Sequence, residues 1–304
     1  MSEKTGRVAI NEVVLRDGLQ NEPSFLPTDD KIRLADRLSR TGVRRIEVSS
    51  FVSPKAIPNL RDAADVFRGL ERAGGVLYTA LVPNVRGAER ALACKVDEVN
   101  LVMSVGERHN LANMRMTCDQ SLAQFREIMA VIAGSGITAN GTVATAFGCP
   151  FEGRQPVDRV LWAIDAYRAM GMGSITVADT IGVANPRQVA SLLAAIARRH
   201  PDLPLTIHLH NTRDMGLANA LAAYDAGVRS FDAALGGIGG CPYAPGASGN
   251  VCTEDLVHMF HHCGIDTGVS LPALLELSEE LPALLGHDVP GYVMKAGTSD
   301  RIYA

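Results

Sequence analysis

The stretch SITVADTIGVANPRQVASLLAAIARRHPDLPLTIHLH, residues 174–210, contains two apolar, β-branched runs separated by a segment with helical periodicity. The first run predicts a strand over 174–180, the middle segment predicts a helix that begins near Pro186, and the last run predicts a strand over 204–210. A strand, a helix and a second strand in this order favour a βαβ unit with two parallel strands. The stretch therefore indicates an α/β protein built on a parallel sheet.

The same rhythm continues over most of the chain in both directions. Eight strand and helix pairs can be counted, with predicted strands over 8–15, 44–50, 76–82, 97–104, 138–146, 174–180, 204–210 and 230–237. No Gly-x-Gly-x-x-Gly turn opens any of the helices, which favours a closed barrel over an open, doubly wound sheet. We therefore predict a (β/α)₈ TIM barrel in a single domain, residues 1–304, with a helical C-terminal extension from about residue 265.

The composition excludes several classes of partner. The 304 residues include 29 basic and 33 acidic side chains, and the formal net charge of −4 offers no attraction for nucleic acid or an anionic membrane. No apolar run reaches the roughly 20 residues that a bilayer span needs, and the N-terminus lacks a signal-peptide pattern. The six cysteines are scattered without CxxC pairs and are expected to be reduced. We expect a cytoplasmic protein that acts on a small molecule.

Polar residues follow the predicted strands at the face where barrels of this kind carry their active sites. His208 and His210 alternate with Leu209 on the seventh strand, so both imidazoles project to the same side and can share one ion. A lone HxH would equally well be a pair of packed core histidines. Asp17, after the first strand, adds a carboxylate and favours a site for Mn²⁺, Mg²⁺, Zn²⁺ or Fe²⁺.

Five further side chains are expected at the same face. Arg16 is suited to hold a thioester oxygen as it becomes an enolate oxygen. Glu47 and Asp179 are each a candidate general base or a carboxylate that holds a histidine, and their spacing does not separate the two roles. Gln20, just beyond the first strand, and Ser50, at the end of the second, are candidate substrate contacts.

A glycine-rich loop, GGIGGCPYAPGASGN (236–250), follows the eighth strand. Its glycines suggest a flap that closes on the substrate, with Cys241 acting in it as an acid or base. Cys149 lies in a similar string, FGCPFEG (147–153), and is interpreted as structural or ligand-lining because, of these two cysteines, Cys241 is the one that follows the eighth strand. The segment GERHNLANMRMT (106–117), after the fourth strand, is either part of an acyl-CoA entrance or a solvated loop.

These motifs resemble those of the 3-hydroxy-3-methylglutaryl-CoA lyase family, a branch of the metal-dependent lyase barrels. The likeness extends through LRDGLQNE (15–22), SSFVSPK (49–55), FGCPFEG (147–153), ADTIGVANP (178–186), HLHNT (208–212) and GGIGGCPYAPGASGNVCTEDLV (236–257). The resemblance implies a divalent metal ion, Mg²⁺ or Mn²⁺, with four ligands: Asp17, His208, His210 and Asn250. It also implies a substrate-polarising Arg16, a catalytic Cys241 in the flap, and Glu47, Asp179 and Glu254 at positions that act in catalysis or support the site.

The resemblance further implies cleavage of a 3-hydroxyacyl-CoA into acetyl-CoA and a keto acid, which is acetoacetate when the substrate is 3-hydroxy-3-methylglutaryl-CoA. Asn211 stands where the family usually has Asp, and the loop 104–117 also departs from the better-known lyases. A different substrate such as citramalyl-CoA is therefore the nearest alternative, followed by an acetyl-CoA-dependent condensing enzyme, although such synthases usually carry further C-terminal domains. An HxH metal hydrolase and an inactive binding barrel fit the motifs less well. The apolar C-terminal helices favour a homodimer.

Overall fold

The computed structural model describes residues 6–240 and 249–300. Eight parallel strands form a closed barrel, in which consecutive strands are neighbours and the last pairs with the first. The strands are β1 Ala9–Glu12, β2 Arg45–Ser50, β3 Leu77–Leu81, β4 Glu98–Ser104, β5 Thr138–Ala144, β6 Ser174–Asp179, β7 Leu205–Leu209 and β8 Ser230–Ala233. The predicted (β/α)₈ barrel is confirmed.

Helices connect the strands and surround the barrel. They are α1 Thr28–Ser39, α2 Ala63–Gly69, α3 Val85–Ala93, α4 Glu107–Met114, α5 Cys118–Ile132, α6 Val157–Ala169, α7 Pro186–Arg199, α8 Gly216–Asp225, α9 Thr253–His262, α10 Leu271–Leu285 and α11 Val293–Ala296. Thr117 and Asn185 begin α5 and α7 with capping boxes, which satisfy first-turn N–H groups. No helix within the described ranges is long and apolar enough to cross a membrane.

The C-terminal helices pack against the barrel helices. Helix α10 contacts α1 and α9, passes through Pro282 and ends at Gly286, whose φ of 78° lies in the left-handed region that glycine tolerates. Leu274, Leu277 and Leu281 of α10 are buried within the chain. The leucines that suggested a dimer interface therefore belong to this chain's own core.

Six of the strands are one or two residues shorter than their apolar runs predict, and the first and the last are each four residues shorter. Strand β1 ends at Glu12, and Val14–Gly18 form a single π-helical turn instead of continuing the strand. Strand β8 ends at Ala233 and is followed by a 3₁₀ turn at Leu235–Gly237. Both turns are held by the buried Glu12 carboxyl, which accepts the N–H groups of Val14 at 2.9 Å and of Leu235 at 3.0 Å. A buried acceptor thus replaces the ladder partners that a longer strand would need.

Candidate metal centre

Three of the predicted ligands converge at the C-terminal end of the barrel. Asp17 comes from the π-helical turn after β1, while His208 lies in β7 and His210 directly follows it. The Oδ2 atom of Asp17 is 3.9 Å from Nε2 of His208 and 3.6 Å from Nε2 of His210, and the two Nε2 atoms are 3.1 Å apart. Among the residues that the structure describes, these form the only cluster of three His, Cys, Asp or Glu side chains that could hold a metal ion.

Asn250 joins this cluster because the loop after β8 returns to β7. There it forms an isolated β-bridge with His210, and its Nδ2 atom donates to Oδ2 of Asp17 at 2.8 Å and to the carbonyl of Ile238 at 3.1 Å. The Oδ1 atom of Asn250 is buried and has no hydrogen-bond partner in the described ranges. Since an unsatisfied buried amide oxygen is costly, a cation ligated at this atom would remove the penalty. The residues present therefore fit a divalent cation.

The charges of Asp17 and His210 suit metal binding. Burial lowers the pKa of His208, but its contact with Asp232 and the charge of Asp17 outweigh burial and raise that pKa, so a cation competes with a proton at this side chain. Burial, followed by the charge of His208, lowers the pKa of His210 to about 4, so its imidazole is neutral at physiological pH. Burial opposes ionisation of Asp17, but Arg16 and the two histidines outweigh it and hold the pKa of Asp17 well below its usual range. A carboxylate and a neutral imidazole are the forms that bind metal ions.

Arg16 lies beside the cluster in a fixed orientation. Its Nε atom donates to Oε2 of Glu47 at 2.5 Å, and its Nη1 atom forms an ion pair with Asp17. Glu47 in turn accepts a hydrogen bond of 2.6 Å from Nδ2 of Asn100 on β4, a residue that the sequence analysis did not single out. The Nη2 atom of Arg16 makes no hydrogen bond to any residue that the structure describes. The guanidinium is thus held on two sides and has one edge available for a ligand.

The two candidate substrate contacts differ in their surroundings. Gln20 reaches the cluster, where its Nε2 atom donates to Oδ1 of Asp17 at 3.3 Å. Ser50 is buried, and its hydroxyl oxygen accepts a hydrogen bond of 3.2 Å from the N–H of Val52. Gln20 is therefore placed to orient Asp17, whereas the described contact of Ser50 is within its own loop.

Asp179 holds the loop that follows β6. Its two carboxylate oxygens accept the N–H groups of Val183 at 3.0 Å and of Ala184 at 2.9 Å, while burial raises its pKa. Neither Asp179 nor Glu47 is hydrogen-bonded to a histidine. At the cluster, the carboxylate that contacts His208 from behind is Asp232, whose Oδ2 atom lies 3.3 Å from Nδ1 of His208. Sequence reasoning missed Asp232, although its place inside the predicted eighth strand could have suggested it.

Glu254 supports the glycine-rich loop. Its Oε1 and Oε2 atoms lie 3.2 and 3.1 Å from the N–H of Gly236, which donates to the carboxylate where the loop begins. Burial raises the pKa of Glu254 to about 7. Within the described ranges, the hydrogen bonds of the Glu254 side chain are to the start of this loop and not to a proposed metal ligand.

Of the two cysteines in GCP segments, only Cys149 lies within the described ranges. Cys149 is buried in a short hairpin formed by Gly148–Cys149 and Gly153–Arg154, where its sulfur accepts from the N–H of Phe151 at 3.4 Å. Burial raises the pKa of this thiol, which makes it less reactive. Cys241 lies outside the described residues, so its catalytic role stays a prediction.

The positions that depart from the family pattern have mainly structural contacts. The Oδ1 atom of Asn211 accepts the N–H of Gly216 at 2.8 Å, at the start of α8. In the segment 106–117, His109 and Asn110 belong to α4, and both are buried. The Nδ2 atom of Asn110 donates to Ser121 Oγ at 2.8 Å. Neither Asn211 nor this pair belongs to the cluster of Asp17 and the histidines.

The barrel and its cluster define the chain as an enzyme of the metal-dependent barrel type, with the site at the carboxyl ends of the strands. A family model described as HMGL-like matches residues 7–281. The chain therefore belongs to the HMGL-like family.

Individual relatives are similar over nearly their whole length. The chain is 51% identical to an HMG-CoA lyase from A. baumannii whose structure contains coenzyme A and 3-methylmalate, with a TM-score of 0.96 and coverage of 100% of this chain and 99% of that one. It is 45% identical to the (R)-citramalyl-CoA lyase of Chloroflexus aurantiacus, covering 95% of each chain. It is 43% identical to a hydroxymethylglutaryl-CoA lyase of Bacillus subtilis, covering 93% of this chain and 95% of the relative. These relatives identify the chain as a carbon–carbon lyase.

Proposed function

We propose that this chain is a metal-dependent lyase that cleaves 3-hydroxy-3-methylglutaryl-CoA, or a close 3-hydroxyacyl-CoA, into acetyl-CoA and a keto acid. The observation that carries the proposal is the cluster of Asp17, His208 and His210 beside a fixed Arg16. Asn250 is hydrogen-bonded to Asp17 of this cluster, and its buried Oδ1 atom has no partner among the described residues. We propose Mg²⁺ or Mn²⁺ as the cation, because oxygen donors from Asp17 and Asn250 suit these ions.

The chain's own residues supply the steps of a retro-Claisen cleavage. A bound cation would add positive charge next to the 3-hydroxyl and favour its ionised form. Arg16 faces the thioester oxygen, where the electron pair of the breaking C2–C3 bond arrives and forms an enolate, and the preorganised guanidinium stabilises that charge. Cys241 then delivers a proton to C2 to give acetyl-CoA, while the proton lost from the 3-hydroxyl passes to a carboxylate.

The carboxylate that accepts the hydroxyl proton is Glu47 or Asp179. Both are buried, and burial raises the pKa of each, which makes each carboxylate a stronger proton acceptor. Glu47 also orients Arg16, and Asp179 also holds the loop after β6, so Glu47→Gln and Asp179→Asn should each impair a second function besides proton transfer. A larger loss of kcat in Asp179→Asn than in Glu47→Gln would assign the base to Asp179.

The substrate is tested by product analysis on a panel of 3-hydroxyacyl-CoA thioesters with Mg²⁺ or Mn²⁺. 3-Hydroxy-3-methylglutaryl-CoA carries its distal carboxylate one methylene further from C3 than citramalyl-CoA does. A pocket that distinguishes substrates by one methylene group typically changes kcat/KM by about 10–200-fold. We expect acetoacetate and acetyl-CoA in equal amounts as the products of the preferred reaction. Preferred release of pyruvate from citramalyl-CoA would overturn the substrate assignment and keep the lyase assignment. Net condensation of acetyl-CoA with a 2-oxo acid would overturn both.

The oligomeric state and the location stay predictions. The leucines of α10 that favoured a homodimer are buried in the chain, and the large apolar side chains exposed in the described ranges are dispersed over different elements: Leu77, Leu111, Val157 and Tyr292. Light scattering on the purified protein tests the dimer, and a mass near 32.3 kDa would contradict it. Fractionation of the producing cells tests the cytoplasmic location.

A further inference from the structure

Three polar side chains lie side by side in one layer of the barrel. Asn11 of β1 is in register with Asp232 of β8, and Asp232 is in register with His208 of β7. The Nδ2 atom of Asn11 donates to Oδ1 of Asp232 at 2.8 Å, and Oδ2 of Asp232 lies 3.3 Å from Nδ1 of His208. The chain of contacts therefore leads from the first strand, across the last, to a proposed metal ligand.

The direction of each hydrogen bond in this chain follows from the chemistry of the groups. The amide nitrogen of Asn11 must be the atom that faces Asp232, because a carboxylate only accepts, and the same NH₂ group also donates to Ser230 Oγ at 3.0 Å. The other carboxylate oxygen then requires a proton on Nδ1 of His208. A neutral imidazole protonated at Nδ1 presents the lone pair of Nε2, which is the atom that faces Asp17 and His210.

We infer that Asp232 is a positioning residue that keeps His208 in the Nδ1–H tautomer, and that Asn11 sets the orientation of Asp232. The inference rests on the proposed function, since it takes His208 as a metal ligand. His210 has no equivalent device, because its Nδ1 atom is buried without a hydrogen-bond partner among the described residues. The tautomer of one histidine is thus fixed by the barrel, and that of the other is set at the cluster.

The role of Asn11 makes a specific prediction for Asp232→Asn. The NH₂ group of Asn11 attracts the oxygen of the new amide, so the NH₂ group of that amide turns towards Nδ1 of His208. The imidazole then has to accept at Nδ1 and carry its proton on Nε2, where it blocks the lone pair that a metal ion needs. We expect affinity for the cation to fall by about 10–100-fold, the range found when a partner of a ligating histidine is lost.

A second substitution separates this mechanism from simple damage to the barrel. Asn11→Ala removes the donor that dictates the amide orientation, so in Asn11→Ala combined with Asp232→Asn the amide is free to turn its oxygen to His208. We expect the double variant to bind the cation more tightly than Asp232→Asn alone. A merely structural role for the pair would instead leave the double variant with no tighter binding of the cation than Asp232→Asn alone.

The experiment titrates metal-free protein with Mn²⁺ and measures the free ion by electron paramagnetic resonance, so it does not depend on activity. Ser230→Ala is the matched control, because Ser230 lies in the same strand and contacts Asn11 and Thr206 but neither histidine. We expect one Mn²⁺ per wild-type chain, unchanged affinity in Ser230→Ala, weak binding in Asp232→Asn and partial recovery in the double variant. Wild-type affinity for Mn²⁺ in Asp232→Asn, or no recovery of affinity in the double variant, overturns the inference but not the proposed metal site.

Two further cases are a wild-type protein that binds no Mn²⁺ and a variant that does not fold. If the wild-type protein binds no Mn²⁺, both the inference and the proposed metal site are overturned. If Asp232→Asn does not fold, long-range ¹H–¹⁵N spectra of metal-free wild-type protein report the tautomer of His208 directly, at a pH where the imidazole is neutral. A proton on Nδ1 supports the inference, and a proton on Nε2 overturns it.

Discussion

The Oε2 atom of Glu12, at the end of β1, accepts a hydrogen bond of 2.8 Å from the hydroxyl of Thr253, at the start of α9. The Oε1 atom of the same buried carboxyl holds the turns that begin at Val14 and Leu235. One side chain therefore joins the turn that carries Asp17, the start of the glycine-rich loop and the helix that follows Asn250. Burial raises the pKa of Glu12 to about 8, so the carboxyl is mostly protonated at neutral pH.

We predict that Glu12→Gln removes a pH dependence from folding. The pKa of Glu12 is about 8 in the fold and near 4.5 in the unfolded chain, so between these values the folded protein binds a proton that the unfolded chain has released. The resulting stabilisation is complete below pH 4.5 and is lost as the pH rises to about 8, with a limiting slope of about 1.4 kcal/mol per pH unit. Urea unfolding of both proteins between pH 5 and 8 measures the difference. Parallel curves would show that Glu12 does not titrate in this range.

A divalent cation should stabilise the wild-type fold against heat. At a free concentration one hundred times the dissociation constant, the expected gain is about 2.7 kcal/mol, which raises the melting temperature by several degrees. His210→Ala should abolish both this shift and turnover while it leaves the far-UV circular dichroism unchanged, since the remaining groups rarely hold the ion. Full activity after exhaustive chelation, or an undiminished shift in His210→Ala, would be incompatible with the proposed centre.

Gly239→Ala should disrupt the centre by direct contact. At a φ of 92°, a methyl group on Gly239 would lie 2.6 Å from the carbonyl oxygen of Asp17 and 2.8 Å from Nδ2 of Asn250. Gly264→Ala is the matched control, because Gly264 has a similar φ of 72° but open space around it. Both variants should lose about 1 kcal/mol of stability from the backbone, and only Gly239→Ala should lose metal affinity. Equal metal affinities in the two variants would argue against the packing of this loop on Asp17.

Arg16→Lys should lower kcat by about 10²–10³-fold, with a much smaller rise in KM. A lysine ammonium can meet Asp17 or Glu47, but it lacks the planar fork that contacts both and still offers an edge to the substrate. Steady-state kinetics on 3-hydroxy-3-methylglutaryl-CoA gives the two constants separately. A variant that differs from wild type only in KM would assign Arg16 to binding of the ground state.

Cys241→Ser should slow cleavage severely and keep metal binding, because a serine hydroxyl is a much weaker acid than a thiol with a pKa of about 8.5. Cys149→Ser provides the internal control, since Cys149 is buried and its pKa is raised by burial. Thiol alkylation is carried out on the Cys263→Ser variant, because this substitution removes an exposed thiol. We expect alkylation to inactivate this variant and bound substrate to protect it. If Cys149→Ser is the crippled variant, the catalytic thiol lies in the other GCP segment.

The sequence predicted what depends on local patterns. Alternating apolar runs and helical periods are properties of short segments, so the eight strands and the barrel could be inferred directly. His208 and His210 share a face through a spacing of two residues. Asp17 could be added from its place after the first strand, and the resemblance supplied Asn250. For this reason the sequence predicts that these four side chains lie close together.

The unpredicted residues owe their roles to contacts between distant segments. Asp232 meets His208 through the register of β7 and β8, and Asn100 meets Glu47 across the barrel from β4. Glu12 ends an apolar run that predicts a longer strand, and its function appears only when three remote segments meet it. The pattern within one segment does not determine which residues of a neighbouring strand or a remote segment it will contact.

The closure of the barrel also sets an order of events during synthesis. Residues 9–12 leave the ribosome before the other strands, yet their partners in β8 are residues 230–233, and the bridge from His210 to Asn250 needs a still later segment. Most of the strands can pair while the chain is growing, whereas this seam must wait until residue 250 has been made. The proposed ion-binding end is consequently the last part of the barrel to be completed, and a nascent chain that stops before residue 250 has most of the scaffold without a working centre.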